Sequence, residues 1–313
     1  MLNLTPMSFP DSFDWLPQAP LQRLDLDWLS QAGVKVAVLR LDLIDPLISG
    51  NKWFKLIEHL KLASASGAQG IISLGGAWSN HLHALAAAGK RFGFATVGLL
   101  RGHPQETATV ADLQALGMHL HWLGYGGYRA RHSPDFWLPW LAQYPDFQTV
   151  PEGGGGLLGA RGCGQLLTLV EQQLHSLGWQ DHDGWWLACG TGTTAAGLVL
   201  AEGGRRTLYG VLAVPADHGV AQQIAAILNE GGLSESGYQL IDGSRGGFAK
   251  VDSQLLAFIT DTERASGLPL EPLYTGKALL ALRQEVEGGR FAAGTRLIFV
   301  HTGGLQGRRG FAG

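Results

Sequence analysis

Lys52 offers the most chemistry in this chain. It stands in Ser49-Gly50-Asn51-Lys52-Trp53-Phe54-Lys55, after a turn and at the start of a helical pattern. A lysine amine acts as nucleophile or base only when neutral, and the positive end of a helix lowers the ammonium pKa towards that state. The chain has seven lysines, at positions 35, 52, 55, 61, 90, 250 and 277. Taken alone, Lys52 also reads as an ordinary solvated lysine.

A second group is Gly190-Thr191-Gly192-Thr193-Thr194, between an apolar run and a helical pattern. The glycines free backbone N–H groups, the helix start adds partial positive charge, and the threonines add hydroxyls, which together make a phosphate cradle. Two other readings fit the same residues. One is a tight turn with threonine caps. The other is a dinucleotide pattern G-x-G-x-x-A through Gly190, Gly192 and Ala195. No lysine directly follows the glycines, so a Walker loop is excluded.

The third group, Gly75-Gly76-Ala77-Trp78-Ser79-Asn80-His81, has the same layout. Ser79 or Asn80 would cap a helix, or would present a hydroxyl and an amide to a ligand. His81 and His83 lie two apart on that helix and do not share a face, so no metal site is expected. A fourth pair, Pro272 to Lys277 and His301 to Gly307, lies near the C-terminus. The second member would serve equally as a plain turn.

These groups need elements to position them. Strands are predicted at Val34–Leu43, Gly70–Leu74, Phe94–Leu99, His119–Leu123, Gly184–Cys189, Thr207–Val214 and Arg296–Val300. Helices are predicted at Lys52–Ala65, His81–Phe92, Pro104–Leu116, Leu157–Leu177, Gly192–Ala201, Val220–Asn229, Val251–Ser266 and Gly276–Val286. The alternation implies an α/β fold with a mostly parallel sheet covered by helices. Ligands in such folds sit at the carboxyl ends of strands, where the glycine clusters fall. Tyr125 to Pro139 reads as a mobile connection, and Pro151 to Gly159 as a junction between subdomains.

Composition narrows the class. The 313 residues carry a net charge of −3, 45% apolar and 16% charged residues, and 46 glycines. That length suggests about two domains of ~100–200 residues. There is no basic run for nucleic acid and no apolar run of the ~18 residues needed to span a membrane. Met1 to Pro10 lacks the features of a signal peptide. Two cysteines, Cys163 and Cys189, point to a reducing compartment, and a cytoplasmic protein is expected.

Five stretches, SGNKWFKL, GGAWSNHLHALAAAGK, GTGTTAAGL, LYTGKALLAL and HTGGLQG, run in this order from residue 49 to 307. Together they resemble the 1-aminocyclopropane-1-carboxylate deaminase and D-cysteine desulfhydrase family of fold type II pyridoxal-phosphate enzymes. The resemblance implies a tryptophan-synthase-β-like fold with two open, mostly parallel sheets flanked by helices. It implies a larger cofactor domain from residues 1–50 and 150–313, a smaller domain from 51–149, a cleft between them and a homodimer. The cofactor would be pyridoxal 5′-phosphate and the partner a small amino-acid substrate. Lys52 matches the lysine that joins the cofactor covalently and then moves the substrate Cα proton. Lys55 matches a lysine near the phosphate, and Gly190, Thr191, Gly192, Thr193 and Thr194 match the phosphate loop. Asn80 matches the residue beside the cofactor O3′, and Ser79 the serine that meets the substrate carboxylate or assists proton transfer. Tyr274 matches an active-site tyrosine, and Thr275 and Thr302 match positions near the pyridine nitrogen and the substrate end.

The cyclopropane deaminases resemble a Tyr-Glu-Gly-Lys pattern, whereas this chain has Tyr274-Thr275-Gly276-Lys277. A glutamate would keep the pyridine nitrogen protonated and make the ring a stronger electron sink. A threonine favours loss of a good leaving group such as thiolate. The resemblance thus implies β-elimination, with D-cysteine giving pyruvate, ammonia and sulfide. Cyclopropane deamination to 2-oxobutyrate and a non-catalytic binding role are the alternatives. Phe248 stands about where both activities have a tyrosine. Phe54 replaces a frequent arginine, Thr193 a frequent glycine, and Trp78 a smaller polar residue.

Overall fold

The computed structural model describes Phe9, Phe13 and residues 15–311, so all of Met1 to Pro10 except Phe9 lies outside the described residues. In chain order the strands are β1 (Leu21–Leu24), β2 (Lys35–Arg40), β3 (Gly70–Gly75), β4 (Ala95–Leu100), β5 (His119–Trp122), β6 (Phe147–Thr149), β7 (Gly184–Cys189), β8 (Thr207–Leu212), β9 (Tyr238–Asp242) and β10 (Arg296–His301). They form a six-stranded sheet in the order β1-β2-β10-β7-β8-β9 and a four-stranded sheet in the order β5-β4-β3-β6. The β1–β2 pair is antiparallel; the other pairs are parallel. Every residue of β3 and β7 is buried, as expected of central parallel strands covered on both faces.

One apolar cluster joins the two sheets. It runs from Ile71 and Leu85 beside the four-stranded sheet, through Trp53, Phe54, Leu56 and Leu60, to Leu187, Ala195 and Val199 beside the six-stranded one. The helix Lys52–Ala65 supplies the middle of this cluster, as its apolar spacing predicts. Glycines let its neighbours approach. A Cβ on Gly162 would collide with the Phe54 carbonyl, and one on Gly197 with the Ala160 carbonyl. The Lys52 and Thr193 helix starts are thereby drawn together.

The structure corrects several expectations. The strand Val34–Leu43 ends at Arg40, and Leu41–Leu43 is a 3₁₀ turn. Buried Asp42 turns there to pair with Arg40 at 2.6 Å and His301 at 3.1 Å. Leu157–Leu177 is not one helix but Gly156–Cys163, Gln165–Glu171 and a 3₁₀ turn at Leu174–Leu177. The helix Pro104–Leu116 starts only at Ala108, capped by Thr107 Oγ1, which accepts from the Val110 N–H. The stretch Tyr125 to Pro139 contains helix Gly124–Arg129, whose Tyr128 is buried. Pro151 to Gly159 is more than a junction: Glu152–Gly154 forms a 3₁₀ turn against Lys55 and leads into the helix Gly156–Cys163. The short strands β1, β6 and β9 were not anticipated. Among the described residues no helix is long and apolar enough to cross a membrane.

Candidate active site

The turn after β7 is held by contacts of its own. Gly192 has φ +72°, and a Cβ there would lie 2.5 Å from Ile224 Cγ1, so only glycine fits. Gly190 faces Tyr274, whose Cε1 would be 3.0 Å from an added Cβ. Thr191 and Thr193 hydroxyls meet at 3.1 Å, and Asn51 Nδ2 donates to Thr194 Oγ1 at 2.9 Å. Lys55 Nζ donates to Thr191 Oγ1 at 3.0 Å. Thr193 and Thr194 then open the helix Thr193–Glu202, so its first N–H groups and its dipole point at this cradle.

Lys52 and Lys55 lie one helical turn apart, near enough for each amine to bear on the other's charge. Burial is the first cause lowering both; Lys55 falls further because the Lys52 charge adds to it. The sequence reading credited the helix end for the lowered Lys52 pKa, whereas burial comes first. Gly153 and Gly154 complete the wall: an added Cβ would sit 3.7 Å from Lys55 Nζ and 3.0 Å from Lys55 Cβ, respectively.

At the end of β3, Ser79 caps the helix Asn80–Phe92 by accepting from the Leu82 N–H at 3.2 Å. Asn80 Oδ1 is buried without a partner, and its Nδ2 would lie 2.8 Å from a Cβ on Gly304. Asn80 therefore faces the loop after β10. Ser73 Oγ gives its hydrogen to the Val150 carbonyl at 2.8 Å, so it accepts from His81 Nε2, also at 2.8 Å. That fixes His81 as the Nε2–H tautomer, and burial followed by the Lys52 and Lys55 charges lowers its pKa well below 6.5. His83 turns the other way, to Asp112 at 3.3 Å.

The C-terminal motifs close the site. Tyr274 packs over Gly190, with Phe248 edge-on at 5.5 Å. Burial, then the Glu271 and Glu152 charges, raises the Tyr274 pKa, so its hydroxyl stays protonated. Thr302 offers its carbonyl to Asn51 N–H at 3.1 Å. A Cβ on Gly50 would strike that carbonyl. Thr275 is buried, and its hydroxyl donates to Glu271 Oε1 at 3.1 Å.

Glu271 escaped the sequence reading. Its carboxylate accepts from the N–H groups of Leu273, Tyr274 and Thr275 at 2.6–2.8 Å. Burial raises its pKa and these bonds oppose the rise. The available signal was an acidic residue shortly before a helix start. Glu152, which accepts from Tyr128 and Arg131, and Asn51 were likewise missed.

A family model described as pyridoxal-phosphate dependent enzyme matches residues 15–303. The chain belongs to this family. The bifunctional D-cysteine desulfhydrase/1-aminocyclopropane-1-carboxylate deaminase of Arabidopsis thaliana mitochondria is 27% identical over 312 residues, covering 92% of this chain and 76% of that protein. A crystal structure described as an ACC deaminase homologue superposes with a TM-score of 0.81 at 24% identity, covering 96% of this chain and 93% of the other. A hydrogen sulfide-producing enzyme from Fusobacterium nucleatum gives 0.70 at 13% identity, covering 93% and 94%. These neighbours share the fold type II architecture that the motifs implied.

The residues present fit pyridoxal phosphate. The cradle after β7 would offer a phosphate dianion helix N–H groups, the Thr191 and Thr193 hydroxyls and the Lys55 amine. The unpartnered Asn80 Oδ1 would be free to meet the other end. A dianion beside Thr191 would return a proton to Lys55, and the Lys55 charge would then hold Lys52 as the free amine.

Proposed function

We propose that this pyridoxal-phosphate dependent enzyme deaminates a small amino acid by β-elimination, with D-cysteine the first candidate and pyruvate, ammonia and sulfide the products. The lysine pair carries the reading: Lys55 is bound to the phosphate turn, leaving Lys52 one turn away with a depressed pKa. Lys52 would hold the cofactor and later take the Cα proton. The cofactor ring, when bound, supplies a sink for the electron pair left at Cα. Ser79 would receive the substrate carboxylate beside the helix N-terminus, and Asn80 would fix the cofactor's O3′ side. Tyr274 would cover the reacting face. Thr275 and Thr302 would lie near the pyridine nitrogen as neutral partners. The buried Thr275 hydroxyl is committed to Glu271, which favours loss of a good leaving group over cyclopropane opening. The Arabidopsis relative's name covers both activities.

The finer expectations follow. We read residues 1–50 and 150–313 as the larger domain and 51–149 as the smaller, in line with the two sheets. A homodimer agrees with the prevalence of symmetric pairs. A cytoplasmic location agrees with buried free Cys163 and Cys189. The test is product analysis with the cofactor-loaded protein and a panel of D- and L-amino acids plus 1-aminocyclopropane-1-carboxylate. Pyruvate and sulfide from D-cysteine are expected. 2-Oxobutyrate from the cyclopropane substrate alone would install the alternative activity. Spectral changes without any product would mean a binding protein.

A further inference from the structure

Lys277 is the third residue of the helix Thr275–Glu287, and its side chain is buried. Its Nζ faces four backbone carbonyls: Ala213 at 3.3 Å, Ser244 at 3.0 Å, and Gly247 and Phe248 at 2.9 Å each. It enters none of the ion pairs among the described residues. Three N–H groups cannot make four separate linear hydrogen bonds, so at least one is shared. Neutral carbonyl oxygens crowding one compact charge is how proteins hold a monovalent metal ion.

The four carbonyls come from places that matter to the site. Ala213 follows β8 and donates its N–H to the Cys189 carbonyl at the end of β7, beside the phosphate turn. Gly247 and Phe248 belong to the loop that lays the Phe248 ring against Tyr274. Tyr274 sits at the start of the same helix as Lys277. In that loop Arg245 (φ +55°) and Gly246 (φ +81°) both adopt left-handed backbone, a conformation that strains the non-glycine Arg245. The dipoles of four converging carbonyls repel one another, and the Lys277 ammonium offsets that repulsion.

We propose that Lys277 is a tethered monovalent cation, a positioning residue whose ammonium fills an all-carbonyl site and holds the Phe248 loop against Tyr274, so that the protein needs no free potassium or ammonium for this purpose. Burial lowers the Lys277 pKa to about 8, while Glu271, Asp242 and Asp252 favour its charge and Arg245 opposes it. A shallow cavity lined by Asp242, Gly243, Arg245, Lys277 and Gln284 opens beside the cage, giving a small ion a route in.

The test does not depend on the substrate, so its failure is separable from failure of the proposed reaction. The cofactor-loaded protein is melted in sodium, potassium, ammonium or tetramethylammonium chloride at equal ionic strength. The parent chain is expected to show the same midpoint in all four. Lys277→Ala is expected to melt several degrees lower in tetramethylammonium and to recover at least half the loss in potassium or ammonium, because a bound ion stabilises the folded state. Lys277→Met, of similar length but neutral and volume-filling, is expected to melt low in every salt. A wild-type midpoint in Lys277→Met, a cation-selective midpoint in the parent chain, or a folded Lys277→Ala with no selective recovery would each overturn the proposal. Should Lys277→Ala not fold in any salt, that too counts against it, because potassium should have restored the cage.

Discussion

The turns after β7 and β3 share one local grammar, a buried strand, glycines and a helix start, yet they differ in what they leave undone. After β7 the Thr191, Thr193 and Thr194 hydroxyls all have partners, in Lys55, each other and Asn51. After β3 the Asn80 Oδ1 and His81 Nδ1 atoms are buried and unpartnered, and Trp78 keeps 39% of its surface exposed. A group that is always the same, such as a phosphate, can be met by a turn assembled in advance. The turn after β3 keeps polar capacity in reserve, which on the proposed reading Asn80 would give to the cofactor's O3′ side, beside the Ser79 that would receive the substrate. A buried unpaired acceptor costs about 1–3 kcal/mol, and a ligand that satisfies it regains part of that.

The comparison can be broken at several points. Lys52→Ala should have the largest effect: turnover falls by about 10²–10⁴-fold, the usual contribution of one acid–base group. Non-covalent pyridoxal-phosphate binding should persist, because the β7 turn is untouched; a binding titration alongside the rate assay checks both. Gly192→Ala attacks the prebuilt turn itself. Left-handed backbone at a non-glycine residue costs about 1–3 kcal/mol, and Ile224 adds a clash, so melting midpoint and cofactor affinity should fall together. Ser79→Ala probes the other turn. It should lose about 1 kcal/mol of helix capping and raise KM for the amino acid, with cofactor affinity unchanged. Should Ser79→Ala weaken cofactor binding as much as Gly192→Ala does, the division of labour between the turns is wrong.

The smallest effect is a pH dependence. Burial and the Lys52 charge hold the Lys55 ammonium well below the ordinary 10.5. In the cofactor-free protein, folded Lys55 sheds its proton where the unfolded chain still holds one. Between that depressed value and 10.5, stability therefore rises with pH. Measured against Lys55→Met, the parent chain should be least stable below the depressed value and gain steadily towards pH 10.5. A difference that stays flat with pH contradicts a buried neutral amine.

Much of this was legible in the chain. Helix Lys52–Ala65 and strand Gly184–Cys189 have the predicted bounds, because apolar spacing within a single element sets both. Strands β1, β6 and β9 were not legible: they run three to five residues and are only partly buried, so neighbouring strands rather than their own pattern define them. Gly162 reads as one residue of a long helix, but its contact with the Phe54 carbonyl belongs to a second helix. Lys52 stood out by its place at a helix start, and Ser79, Asn80 and the Gly190–Thr194 turn by residue type after a strand; the roles proposed for them come from the family resemblance. Glu271 left only a faint signal, an acidic residue shortly before a helix start, because most of its partners are backbone N–H groups. Lys277 fell inside a recognised motif, yet the carbonyls around it lie 29 to 64 residues away.

The most direct test is to add pyridoxal phosphate to the purified protein, record the visible spectrum, reduce with borohydride and map the labelled peptide. The account predicts a visible band that reduction abolishes and a cofactor fixed on Lys52 alone. A label on Lys55 or Lys277, or no band at all, would contradict it.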